Sequence, residues 1–298
     1  MIFGTSYILQ QIFNGIVLGS IYALLALGMA IIYGILGLIN FAHGALITLG
    51  AFCFYTFFSR IQWPFLLTLA LTIAFGGLMG YLLELIGYRK LRGSPDLSLL
   101  ITSLGIYIFL ENLVKLIVTP QPYAFSIPDF LNQMINFYIT FRVIDLFIIF
   151  TTIFIMLIFS FFIKKNKIGI AMRGISESVE TARLVGINVD QVIIWTFIVA
   201  SSIAALTGFM WGSKYGQIGY DLGFMPGVIA FVAIVMGGIG SIPGSVVGGF
   251  LIGLIQTFVI GFLPPGWSIY RDAIVFTLLI LVLLIKPSGV MGRKESIS

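Results

Sequence analysis

Apolar residues run along this chain in long blocks, broken only by brief polar interruptions. A helix crossing the hydrocarbon of a bilayer needs about 20 mostly apolar residues. That rule predicts helices near 8–33, 42–58, 63–87, 97–118, 143–163, 191–212, 224–239, 244–262 and 269–285. The second and seventh are short, so each is expected to be tilted, broken or partly re-entrant, a break tolerated only against protein or water. Two stretches interrupt the rhythm. Residues 119–141 carry Pro120, Pro122, Pro128 and Asp129 and read as a loop too polar to span. Residues 164–190, KKNKIGIAMRGISESVETARLVGINVD, hold the densest charge in the chain.

The charged stretch has helix signals of its own. Ser176 is a candidate cap, Glu177 and Glu180 fall in the first turn, and Arg183 lies toward the last. Gly186 supplies a stop. Ile175, Val179 and Ala182 are predicted to share one face, with Val185 beside it. Such a helix, about ten residues long, is too short to be stable alone in water and needs a surface to rest on. Two surfaces are open at this point: the protein's own loops or the lipid, and a soluble partner.

Composition sharpens the class. Of 298 residues, 59% are hydrophobic and 9% charged, and mean hydropathy is +1.12. A soluble domain carries about 25% charged residues, so the charge needed for a water-facing surface is missing. The chain reads as an all-α integral membrane protein, a polytopic bundle of about eight or nine transmembrane helices in one domain spanning 1–298. No Lys, Arg, Asp or Glu precedes Arg60, so no secretory signal pattern is present and the first helix is expected to be retained. The formal net charge of +5 matters by position. Arg89, Lys90, Arg92, Lys164, Lys165, Lys167, Arg173, Arg183, Lys286, Arg293 and Lys294 fall on one side; only Arg60, Arg142, Lys214 and Arg271 fall on the other. Positive charge collects on the cytoplasmic side, which places the C-terminus inside. Nine crossings put the N-terminus outside; eight, with 42–58 re-entrant, put it inside.

Several features point away from catalysis. Cys53 is the only cysteine and His43 the only histidine, so neither a thiolate cluster nor a histidine metal site is available within the chain. G-G-I-G-S-I-P-G at 237–244 lacks the Gly-Lys-Ser/Thr of a phosphate loop, and Pro243 removes an amide such a cradle would use. Ser241 and Pro243 instead mark a turn into a new helix. Gly15 and Gly19, Gly240, Gly244 and Gly248, and Gly249 and Gly253 recur at intervals of four, the spacing that lets membrane helices pack backbone to backbone. That packing serves either this chain or a partner.

Four polar residues inside or beside the spans are candidates for a pathway or a gate. Asn40 and His43 sit at the break after the first helix, where satisfying backbone groups competes with gating. Glu111 and Asn112 lie inside the fourth span, where charge is costly. Glu111 precedes Lys115 by four residues, the order that favours an ion pair on one helix. Glu84, near Tyr88 and Arg89 at a span end, reads as an interfacial anchor.

G-I-A-M-R-G at 169–174 followed by E-T-A-R-L-V-G-I-N at 180–188 resembles the coupling loop of ABC-importer permeases. With G-L-I-N-F-A-H-G at 37–44, P-G-V-I-A-F-V-A at 226–233, G-G-I-G-S-I-P-G and K-P-S-G-V-M-G at 286–292, the whole chain is similar to the branched-chain amino acid (LivH-type) permeases. Gly174 stands where that family often has Ala, and Val290 where Leu is common. The resemblance implies a type II importer permease in the bacterial or archaeal inner membrane. It would pair with a second homologous permease, two cytoplasmic ATPase subunits and an external substrate-binding protein, in contact with lipid and not with nucleic acid. It implies no cofactor on this chain, ATP being used by the partners. It also implies coupling to the ATPase through Gly169, Arg173, Glu177, Glu180, Ala182 and Gly186. The branched-chain substrate rests on the resemblance; apolar composition alone suits urea or short amides equally. An ion-coupled secondary transporter would want several mid-membrane carboxylates and would leave 164–190 without a purpose.

Overall fold

The computed structural model describes residues 4–118, 120–264, 266–286 and 288–292. Arg293 and Lys294 of the basic set, and Pro287 of the last motif, lie outside the described residues. The helices are α1 (Thr5–Leu36), α2 (Ala42–Tyr55), α3 (Phe65–Leu82), α4 (Asp96–Ile117), α5 (Asp129–Asn132), α6 (Val143–Lys165), α7 (Lys167–Glu177), α8 (Val179–Leu184), α9 (Val189–Tyr215), α10 (Phe224–Gly237), α11 (Ile242–Phe262) and α12 (Arg271–Ile285). A π-helical turn, Thr56–Arg60, prolongs α2, and another, Leu83–Tyr88, prolongs α3 into a 3₁₀ turn at Arg89–Leu91. Four strands of two or three residues make two small antiparallel ladders. In them β1 (Tyr123–Ala124) pairs with β4 (Gln217–Ile218), and β2 (Met134–Asn136) with β3 (Thr140–Arg142).

Among the described residues, seven helices are long and apolar enough to cross a membrane: Thr5–Leu36, Ala42–Arg60, Phe65–Leu91, Asp96–Ile117, Val143–Lys165, Val189–Tyr215 and Ile242–Phe262. These match the first six predicted spans and the eighth. The two remaining spans are shorter than the sequence suggests. The 14 residues of α10 extend about 21 Å and the 15 of α12 about 22 Å, against about 30 Å of hydrocarbon. Leu66, Ile86, Leu116 and Ile117 are each more than 70% exposed. A water-facing surface would not carry them in that number; lipid accommodates them.

The chain divides into two compact units. One takes Met1–Ala30, Ile127–Thr152 and Ile229–Ser298; the other takes Ile31–Ser126 and Ile153–Val228. Within the first, the small residues of α1 and α11 face each other, with Gly19 against Gly253 and Ala23 against Gly249. Gly15 lies against Leu254. Tyr22 donates to Gln256 Oε1 at 2.7 Å, and Gln256 donates to Asp272 Oδ1 at 3.1 Å, satisfying buried polar groups across three helices. Ser241 accepts from the Gly244 amide at 3.1 Å, capping α11 as the sequence predicts. The last motif closes α10: Val290 N–H donates to Met236 O at 2.9 Å, and Met291 N–H to Gly237 O at 2.8 Å. Carbonyls that a helix end would leave bare are thereby satisfied.

The second unit is organised around α9. Its small residues Ser201 and Ala205 let Gly76 and Gly80 of α3 and Gly50 of α2 approach backbone to backbone. Above this seam, Phe54, Phe58, Phe65, Phe125 and Phe209 form an aromatic cluster with ring centroids 4.4–6.4 Å apart. The spaced glycines noted in the sequence pack inside this chain in the first unit, and the second unit uses Gly50, Gly76 and Gly80 in the same way.

Candidate functional site

The charged stretch between α6 and α9 folds as two helices where the sequence predicts one. Asn166 caps α7, its Oδ1 accepting from the Ile168 amide at 2.9 Å, and Ser178 caps α8, its Oγ accepting from the Thr181 amide at 3.2 Å. Ser176 lies inside α7 and donates to Arg173 O at 2.7 Å. The helix starts earlier than predicted because the chain doubles back immediately after Lys165. Gly169 permits this: any side chain there would run into Phe162 O and Ile163 Cα at the end of α6.

Burial divides the predicted coupling residues. Gly169, Met172 and Ile175 of α7 and Ala182 of α8 are buried. They pack with Ile32, Ile35 and Leu38, with Tyr88 and Leu99, and with Val189, Val192, Ile193 and Phe197 of α9, while Ile187 fills the edge. Val179, expected on that face, is 41% exposed, because the break at Ser178 rotates α8 relative to α7. Arg173, Glu177 and Glu180 face outward. So do Leu184 and Val185, 84% and 71% exposed. Ala182 therefore seats α8 on this chain's own core and is not part of the outer face.

Gly186 ends α8 at φ +82°. Its amide donates to Arg183 O at 3.0 Å and the Ile187 amide to Ala182 O at 3.0 Å, the paired bonds of a Schellman cap. Asn188 then starts α9 by accepting from the Gln191 amide at 3.1 Å.

A second polar locus lies at the α1–α2 break. Asn40 and His43 are fully buried. α2 has no side-chain cap, and Asn40 Oδ1 accepts from Tyr88 Oη at 2.7 Å. Asn40 Nδ2 has no hydrogen-bond partner among the described residues. His43 lies in the first turn of α2. One residue on, Gly44 meets the backbone of Gly223 so closely that a methyl group on either would collide with the other. Thr48, buried in the next turn, accepts from the Gly223 amide at 2.9 Å. Two interrupted backbones, 37–41 and 216–223, thus meet inside one unit, with Tyr107 of α4 against Phe224 at 5.5 Å between ring centroids.

Glu111 lies one turn from Tyr107 on α4, beside that locus, while Asn112 turns away from it. Asn112 is exposed and donates to Ile108 O at 2.8 Å, one turn back on its own helix. Glu111 is half-buried. The expected Glu111–Lys115 pair is absent among the described residues. Lys115 Nζ lies instead 5.1 Å from the Tyr220 ring centroid, a cation–π contact made available by the loop before α10. Among the described residues, no three of His, Cys, Asp and Glu come together as a metal site requires.

Sequence reasoning missed the partners of these residues. Tyr88 and Thr48 join segments far apart in the chain, 48 and 175 residues from their partners, and no local pattern gave a sign of either.

A multi-pass helical membrane protein with a capped, outward-facing helix pair between two spans is the class these features define. A family model described as the branched-chain amino acid transport system / permease component matches residues 11–283. The high-affinity branched-chain amino acid transport system permease proteins LivH of Salmonella typhimurium and Escherichia coli K12 are each 38% identical to this chain, over 97% of both chains. BraD of Pseudomonas aeruginosa is 36% identical over 96% of both. The chain belongs to the branched-chain amino acid transport permease family. No solved structure matches it.

Proposed function

We propose that this chain is the membrane-spanning subunit of an ATP-driven importer of branched-chain, hydrophobic amino acids. It acts as one permease domain, pairs with a second homologous permease in the inner membrane, and takes substrate from an external binding protein. It holds no cofactor; ATP is hydrolysed on two cytoplasmic subunits. The basic end, with the C-terminus, faces the cytoplasm.

One observation carries the ATPase coupling. The α7–α8 pair is anchored below by Gly169, Met172, Ile175 and Ala182, yet presents Arg173, Glu177, Glu180, Leu184 and Val185 on its outer face. Two large aliphatic side chains beside charges, outside any span, form a patch that a protein partner covers more readily than water does. The pair is fixed to its own core, so a push on that face is delivered to α9 and α3 rather than absorbed by a loose loop. The substrate assignment rests on the relatives' names. The Asn40–His43 break, facing 216–223, supports a gate or path contact, with Glu111 and Asn112 further along α4.

Reconstitution with both ATPase subunits, the second permease and the binding protein tests this reading. ATP-dependent leucine uptake that needs every component is the expected result. Uptake by this chain alone under an ion gradient would overturn it, and uptake of urea with no leucine competition would overturn the substrate.

A further inference from the structure

The end of α3 is unusual. Its helix widens into a π turn over Leu83–Tyr88, a geometry that is rare and concentrated at functional sites. The turn buries a carboxylate, Glu84, and a phenol, Tyr88, four residues apart; Glu84 is fully inaccessible and Tyr88 is 1% exposed.

Each has a polar partner, Glu84 within the turn and Tyr88 far off in the chain. The Arg92 guanidinium binds Glu84 through Nη2 and Asp190 through Nη1. Asp190 is the second residue of α9, four residues past Gly186 at the exit of the α7–α8 pair. Tyr88 packs among Met172, Ile175 and Ala182, lies 5.1 Å from Phe197 between ring centroids, and donates to Asn40 at the α1–α2 break. The ten residues 83–92 therefore touch the outward-facing helix pair, the helix that follows it, and the break before α2.

The satisfaction of these groups is incomplete. Glu84 Oε2 and Arg92 Nε have no hydrogen-bond partner among the described residues. A half-satisfied buried charge is a poor stabilising device, since an apolar replacement of the same shape does at least as well. A guanidinium does something that an apolar group cannot: it holds two carboxylates on different elements in fixed register.

Resting on the coupling role of 164–190, we infer that the 83–92 turn is the transmission element of the importer. Arg92 ties it to the exit of the coupling pair, and Tyr88 passes its displacement to the α1–α2 break through Asn40. Both are positioning residues and neither touches substrate.

The test uses the full reconstituted transporter and reads ATP hydrolysed per amino acid taken up. Tyr88→Phe removes only a hydroxyl, and Arg92→Lys keeps the charge while losing the two-armed grip. Both are expected to retain ATPase activity within about twofold while uptake falls about tenfold, the size of one lost buried polar contact. The pair Arg92→Met with Glu84→Gln leaves no lone buried charge and is expected to assemble normally with the same uncoupling. Unchanged uptake in all three overturns the inference. So does a parallel loss of uptake, ATPase activity and assembled complex, which marks a purely structural role. A wild-type complex without ATP-dependent uptake overturns the functional reading and this inference with it.

Discussion

At the scale of single residues, the second unit depends on positions where a side chain is missing. Gly50 lies directly against the backbone of Ala205, so Gly50→Leu forces α2 and α9 apart. Overpacking of a tight seam costs about 1–3 kcal/mol, which is expected to appear as an earlier unfolding transition in detergent. Gly105 of α4 is the contrast: nothing lies within 4 Å of the place its Cβ would occupy. Gly105→Ala should gain about 0.5–1 kcal/mol from helix propensity alone, measured the same way. Thr48 tests the meeting of the two breaks. Thr48→Val keeps the shape but strips the acceptor from the buried Gly223 amide. A loss of about 1–3 kcal/mol is expected, with faster hydrogen exchange at Gly223.

At the scale of elements, the α7–α8 pair shows what local sequence signals can and cannot decide. Gly186 is readable because only glycine takes its φ of +82° without strain. The start is not readable: Asn166, Ser176 and Ser178 are all good cap residues, and the close turn over Gly169 selects Asn166 for α7 while Ser178 caps α8. The same limit applies to the Tyr88–Asn40 bond, whose partners are 48 residues apart and carry no mutual pattern. Glu111 and Lys115 show the converse, since favourable spacing on one helix loses to an aromatic ring arriving from a distant loop. Gly186→Ala should cost about 1–2 kcal/mol at the end of α8 and speed tryptic cleavage at Arg183, with little effect on membrane insertion. The outer face is tested separately. Leu184→Asp with Val185→Asp leaves the core contacts intact, so co-purification with the ATPase subunits should fall while the permease still inserts. Undiminished co-purification would remove this face from the interface.

At the scale of the molecule, hydropathy located seven long helices to within a few residues, because blocks of that length have no other stable setting. It overstated α10. The predicted span runs on to 239, but Gly238 at φ +118° stops the helix at Gly237; before α10, 216–223 is apolar yet not helical, Gly216 ending α9 at φ +72° before the chain pairs with β1. An apolar loop is allowed there because it packs against Gly44 and Thr48 rather than against lipid. Length therefore fails as a guide to crossings, and charge has to decide sidedness. The outer face of α7–α8 and the Lys164–Lys167 cluster should lie on the cytoplasmic side with the C-terminus, and 119–141 on the other. Single cysteines in a Cys53→Ser background separate these sides, since Cys53 is the one native thiol of the sequence. An impermeant thiol reagent is expected to label Gln121→Cys in intact cells and Ser176→Cys only after the membrane is opened, both positions being exposed. Labelling of Ser176→Cys from outside would invert the protein in the membrane and remove the coupling role from α7–α8, because no ATPase subunit could reach it there.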